Sequence, residues 1–164
     1  MEAKDFANKI FKVIRVLEKN EGLALFASHK TKKGKGFEKW LQVELSGIIS
    51  NYGKVVPEEN RIDIVFDDEW AISLKDRKKR GKNVLYNLNE LKEAPYNKYN
   101  KTCLIFLTFC PFGKKTTYDK NITSSLEKNN RIYDKDFTYQ DFKFNNTKFK
   151  ENNEGRLWFV LGKH

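Results

Sequence analysis

The sequence predicts an α/β protein, a mixed central sheet flanked by helices with a β-rich C-terminal extension. Three observations carry this expectation. Apolar residues recur from Phe6 to Leu17 and from Phe37 to Ile49 at the spacing of an amphipathic helix. Between Arg61 and Lys75 the pattern changes to alternation around the acidic group Asp67-Asp68-Glu69, which is the period of a strand. Thr102 to Phe109 is a run of β-branched and aromatic residues suited to a buried strand.

Taken in order, Phe6, Ile10, Val13 or Ile14, and Leu17 form one stripe, so a helix is expected over residues 3–20 with Gly22 as its stop. A short apolar stretch, Leu23 to Ala27, follows. The second helix carries Phe37, Leu41, Leu45, Ile48 and Ile49, with Glu38 in its first turn and Glu44 in its middle, and ends near Tyr52-Gly53. Val55-Val56-Pro57 leads as a short strand into the alternating segment. Gly81 and Asn83 can start a helix with Val84, Leu88 and Leu91 buried, ending before Pro95, because the residue preceding a proline avoids helical dihedrals. Residues 36–110 thus read helix, strand, strand, strand, helix, strand. In the extension, 111–164, the group Phe137, Tyr139, Phe142 and Phe144 suggests extended chain with a bulge or shift between pairs, and Arg156 to Leu161 a final strand. Asn129-Asn130, Asn145-Asn146 and Asn152-Asn153 read as turns. The whole chain, 1–164, is expected to be one domain.

The alternating segment can be read as a hairpin with a definite register. If Asp67, Asp68 and Glu69 form the connection, Phe66 opposes Trp70, Ile64 opposes Ile72 and Ile62 opposes Leu74, giving a wholly apolar face. The other face pairs Val65 with Ala71, Asp63 with Ser73 and Arg61 with Lys75. A slip of one residue would mix the two faces, so the hydrophobic pattern itself gathers Asp63, Ser73 and Lys75 on one side. A connection of three residues usually calls for a left-handed residue near its end, for which Glu69 is poorly suited, and a longer loop of the same parity keeps the pairing.

Thirty-two Lys and Arg against twenty-two Asp and Glu give a net charge of +10, which points to a polyanionic partner. The charge is clustered. Lys30, Lys32, Lys33 and Lys35 precede the second helix, and Arg77, Lys78, Lys79, Arg80 and Lys82 run directly off the end of the hairpin. Lys4, Lys9, Lys12 and Arg15 interrupt the N-terminal apolar residues, so no signal-peptide core is read there. The longest apolar run, Cys103 to Phe112, falls far short of the ~18 residues of a membrane span. A soluble, cytoplasmic protein with no membrane partner is expected, with Cys103 and Cys110 as free, packed thiols.

The order of elements over 36–110 resembles the PD-(D/E)XK nuclease superfamily, the restriction-endonuclease-like group that also holds junction resolvases and repair nucleases. The resemblance rests on the Asp-bearing strand, the following strand that ends in Ser73-Leu74-Lys75, and a first helix opening Gly36-Phe37-Glu38. In that family the aspartate and an acidic residue two before the lysine hold a divalent ion, usually Mg²⁺, and the lysine orients the attacking water. The resemblance implies that Asp63 and the Leu74 carbonyl are metal ligands and that Lys75 stands beside the water. Ser73 departs from the pattern, standing where Asp or Glu is expected. In one branch of restriction enzymes a Ser-x-Lys strand is complemented by a glutamate on the next helix. Glu90 answers that description with Glu93 as its substitute, while Glu38 or Glu44 could add an upstream ligand.

Other chemistries lack material. The only histidines are His29 and His164, which leaves nothing for a histidine-centred nuclease or a His-ligated zinc. Gly34-Lys35-Gly36 is too short for a phosphate-binding loop. The sequence is therefore read as a Mg²⁺-dependent, restriction-type DNA endonuclease acting as a homodimer, with the basic segments 30–36 and 76–82 on the DNA backbone. The alternatives are a catalytically silent DNA-binding or regulatory protein on the same fold, an RNA-binding module, and a junction resolvase or homing-type nuclease.

Overall fold

A computed structural model describes residues 1–19, 35–75, 81–110, 115–143 and 154–162. Among these residues five α-helices, α1 (Ala3–Ile10), α2 (Val13–Lys19), α3 (Lys35–Ile49), α4 (Gly81–Glu90) and α5 (Lys115–Lys128), surround one mixed six-stranded sheet. Its strands are β1 (Val55–Glu59), β2 (Ile62–Phe66), β3 (Trp70–Lys75), β4 (Lys101–Cys110), β5 (Phe137–Lys143) and β6 (Glu154–Leu161), in the order β1-β2-β3-β4-β6-β5. Every neighbouring pair is antiparallel except β3 and β4, which run parallel and are joined by the crossover through α4. The α/β class with a mixed sheet between helices is therefore as the sequence indicates, and residues 36–110 hold the expected succession of elements.

The apolar residues divide between the two sheet faces. On one, Phe6, Ile10, Val13 and Leu17 from α1 and α2, with Leu41, Leu45 and Ile49 from α3, pack on Ile64, Phe66, Trp70, Ile72 and Leu74. On the other, Val84 and Leu88 from α4, with Ile122 and Leu126 from α5, cover Val65, Ala71, Leu104, Phe106 and Trp158. The hairpin register is the expected one, with Ile64 opposite Ile72, Val65 opposite Ala71 and Phe66 opposite Trp70. Its turn is made differently. Asp67 and Asp68, not Glu69, take left-handed dihedrals (φ 53° and 54°), and the Glu69 amide donates to the Phe66 carbonyl at 3.1 Å. Aspartate tolerates this region better than most residues because its short side chain bonds locally. Asp67 Oδ1 accepts from the Lys54 amide at 2.7 Å, and Gly53 leaves the room, since a Cβ there would overlap the Asp67 carboxylate.

Three expectations are corrected. The single helix over 3–20 is two helices joined by a tighter turn at Phe11 and Lys12, where Lys12 N bonds Lys9 O and Ile14 N bonds Phe11 O. Tightening to three residues per turn lets Ile10 and Phe11 as well as Val13 and Ile14 stay buried. The extension is less purely β than expected, because α5 lies within it, and β6 pairs directly with β4 in the common sheet. No bulge separates the aromatic residues of β5. Its register with β6 is regular, and Phe137 and Phe142 simply face opposite sides of the sheet. The apolar stretch Leu23 to Ala27, Phe144, and the turns at Asn145-Asn146 and Asn152-Asn153 lie outside the described residues. Among the described residues no helix is long and apolar enough to cross a membrane.

Candidate active site

The pairing of β2 with β3 ends at Ile64 and Ile72, one step before Asp63 reaches Ser73. Beyond it a side chain takes over from the backbone, as Asp63 Oδ2 accepts from the Leu74 amide at 2.7 Å. Alternation along β2 is lost at the same place. Ile62 shares the core of Val65, whereas strict alternation would have put it with Ile64. The Asp63 carbonyl is held from the other side by Gln42 Nε2 of α3. Asp63 thus sits at a fork in the sheet, fixed through its backbone by α3 and through its carboxylate by β3.

Leu74 itself is fully buried. In an extended strand the amide and carbonyl of one residue point to the same side, so the Leu74 carbonyl faces β2. An open cleft of about 230 Å³ adjoins this place, lined by Asp63, Gln42, Glu38, Lys39 and Glu58. Lys39 and Glu58 form an ion pair there, both well exposed, so the pair adds little to stability.

Ser73 is 3% exposed and stands beside the Asp63 carboxylate and the Tyr96 phenol. Burial raises the Asp63 carboxyl above its ordinary value of 3.8; the Leu74 amide, Lys75 and Ser73 pull it down, and the Glu58 charge pushes it up. Burial likewise pushes the Tyr96 phenol up to about 12, opposed by Ser73 and reinforced by the Asp63 and Glu90 charges, so it is a protonated donor at neutral pH. With its folded value raised, Asp63 binds a proton more tightly in the folded state than in the unfolded chain. Its contribution to stability therefore falls as pH rises from 3.8 through the raised folded value. In metal-free buffer, Asp63→Asn is expected to raise the thermal midpoint at pH 7 and to lose that advantage below pH 3.8, where the native carboxyl is protonated in both states. A pH series of melting curves checks this.

Of the residues singled out from the sequence, Asp63, Ser73, Lys75, the Leu74 backbone and Glu38 come together. Glu90 does not line the cleft. Its Oε2 accepts from Asn87 Nδ2 of its own helix at 2.7 Å, and it meets the site through its charge on Tyr96. Glu44 is turned away, two residues and so roughly 200° around α3 from Gln42. Glu93 is exposed beyond the end of α4. Lys82 is described and exposed, whereas Lys30, Lys32, Lys33, Arg77, Lys78, Lys79 and Arg80 lie outside the described residues, and of Lys35 only the backbone, at the start of α3, is described.

Gln42, Glu58 and Tyr96 were not singled out from the sequence. Gln42 left a signal, being a polar residue beside the buried Leu41 and Leu45 and itself 5% exposed. Tyr96 left none, because it comes from the one-turn 3₁₀ helix Tyr96–Lys98 and meets Ser73 only through tertiary packing.

No group of three His, Cys, Asp or Glu side chains at metal-binding distance occurs among the described residues. The Asp63 and Glu38 carboxylates that line the cleft are nonetheless hard oxygen donors, which is the chemistry Mg²⁺ takes. No protein-family model, no curated protein and no solved structure matches the chain.

Proposed function

We propose that the protein is a Mg²⁺-dependent DNA endonuclease, restriction-type, with a PD-(D/E)XK-like core, acting as a homodimer. The observation that carries this reading is the half-buried Asp63 carboxylate at the fork, with Lys75 beside it and a cleft shared with Glu38. A carboxylate inside an apolar strand is costly unless something uses it. Asp63, Glu38 and the Leu74 carbonyl are the residues that would hold the ion, which when bound offsets negative charge building up on the phosphodiester. Lys75 orients the water that attacks phosphorus in line, and its charge favours an ionised Asp63. Gln42 fixes the backbone from which Asp63 projects. The basic segments 30–36 and 76–82 hold the DNA backbone, and a homodimer matches the two-fold symmetry of a palindromic target.

A second reading, a silent DNA-binding protein on the same scaffold, is favoured by one feature. The position two before Lys75 is an uncharged, buried serine, which offers no carboxylate to a metal ion. Supercoiled plasmid incubated with Mg²⁺ or with chelator separates the two. The nuclease reading expects nicked or linear product with Mg²⁺ alone, whereas retention of DNA without cleavage in any divalent ion supports the silent one. Under either, affinity falls steeply with salt, and replacing Lys78, Lys79 and Arg80 by alanine is expected to flatten the slope of log K against log salt by roughly 3. Binding isotherms at several salt concentrations measure it, and an unchanged slope removes this segment from the DNA interface.

A further inference from the structure

We infer that the outer ridge of α3, together with the cluster of Lys9, Lys12 and Tyr52 at its end, forms a track for the phosphate backbone of DNA leading away from the cleft. The inference rests on the DNA-binding part of the reading above and adds a surface apart from the basic segments 30–36 and 76–82.

The cluster draws on three places in the chain. Lys9 lies in the last turn of α1, Lys12 in the turn between α1 and α2, and Tyr52 just beyond the end of α3. The two ammonium groups stand 4.8 and 4.9 Å from the centre of the Tyr52 ring, and Lys12 Nζ also donates to the Tyr52 hydroxyl. An aromatic face attracts a cation through its quadrupole, which steadies both side chains without neutralising either. Neither ammonium has a carboxylate within ion-pair distance among the described residues. Two like charges are thus gathered on one ring without a counterion. The hydrogen-bonding capacity is equally one-sided. An ammonium only donates, so the Tyr52 oxygen accepts from Lys12 and its own proton is left to donate outward. Positive charge and surplus donors together fit the oxygens of a phosphodiester.

The ridge connects this cluster to the cleft. Lys39, Val43, Gly47 and Ser50 recur at the three- and four-residue spacing that aligns side chains on one helix face, and all four are exposed. None is acidic, and Lys39 at the head of the ridge is the cation of the ion pair in the cleft. Glu44 is half-buried and lies one residue, so roughly 100°, around the helix from Val43. A Cβ at Gly47 would meet nothing within 4 Å, which leaves the ridge low and open there. The C-terminus of a helix ordinarily repels an anion. Here Ser50 Oγ donates to the Gly47 carbonyl at 2.8 Å and Asn51 Nδ2 to the Ile48 carbonyl at 3.1 Å, with the two lysines close by at Tyr52. From Glu38 to Ile49 the helix rises roughly 16 Å, the length of about five base pairs.

The test measures binding of the full chain to a short duplex across a range of salt. Lys9→Gln/Lys12→Gln is expected to flatten the slope of log K against log salt by roughly 2. Gly47→Glu is expected to weaken binding by about 10-fold and Gly47→Lys to tighten it. Both should keep the wild-type thermal midpoint or exceed it, because the position packs against nothing and glycine is a poor helix former. Tyr86→Glu, on the exposed face of α4 across the sheet, controls for net charge and should leave the affinity within about 2-fold. An unchanged slope, or equal responses to Gly47→Glu and Tyr86→Glu, in a protein that cuts DNA overturns the track and leaves the nuclease reading standing. Inorganic phosphate that shifts the Tyr52 ring signals as fully as the duplex at equal phosphorus concentration also overturns it, since the cluster would then hold a free anion. The expected losses in a wild-type protein that binds DNA without cutting it sustain the track and overturn the nuclease reading alone.

Discussion

Asp63→Asn is expected to lower Mg²⁺-dependent cleavage by more than ~100-fold while leaving the protein folded and able to bind DNA. The magnitude follows from the position of the residue, since losing even a second-layer partner of a metal ligand costs roughly 10–100-fold. The substitution is chosen to keep the shape of the fork. An amide oxygen still accepts from the Leu74 N–H, at 2.7 Å in the wild type. What disappears is the negative charge, and an NH₂ group turned to the cleft faces away any cation. Because the native carboxyl is desolvated, the same change should stabilise the metal-free protein at neutral pH. A loss of cleavage together with a gain in stability is the signature of a charge maintained for chemistry. Nicking rates and melting curves on the same preparation measure both, and an unchanged rate would remove Asp63 from the site.

Phe6→Ala is expected to cost roughly 3–5 kcal/mol, the range for truncating a fully buried aromatic residue. Phe6 is completely buried and joins α1 to three strands at once. Its ring lies 4.6 Å from Trp70 of β3, 5.0 Å from Phe66 of β2 and 6.3 Å from Phe159 of β6. Those partners sit in the regular sheet and cannot collapse into the hole, so the cavity persists. For a chain of this size the midpoint of thermal unfolding should fall by about 10 °C. Tyr86→Ala, on the exposed face of α4 where the ring is 66% exposed, serves as the control and should stay within about 0.5 kcal/mol. Urea titrations compare the two, and equal midpoints would mean that α1 is not part of the cooperative core.

What the chain discloses in advance depends on how sharply burial is patterned. The hairpin register could be read because Ile64, Phe66, Trp70 and Ile72 leave one face apolar, and a slip would bury Asp63 among them. The stripe of Leu41, Leu45 and Ile49 and the run along β4 were equally plain. By contrast, α5 buries Ile122 and Leu126 in a segment rich in Thr, Ser, Asn and Lys, too few apolar positions to set a period. The two helices at the N-terminus keep one continuous stripe, so their break left no mark in the pattern. At the site, sequence spacing brought Asp63, Ser73 and Lys75 together, because they share one hairpin. It could not choose between Glu38 and Glu90, whose places depend on how α3 and α4 dock on opposite faces of the sheet. Tyr96 reaches Ser73 from a short turn distant in sequence, a contact that no local periodicity encodes.

The most direct measurement titrates Mn²⁺, as a paramagnetic substitute for Mg²⁺, into isotopically labelled protein and follows the broadening of backbone amide signals. The account predicts broadening centred on Asp63, Leu74 and Glu38, weak at Glu44, and abolished by Asp63→Asn. Broadening centred on the acidic turn at Asp67 and Asp68, or persisting unchanged in Asp63→Asn, would contradict it.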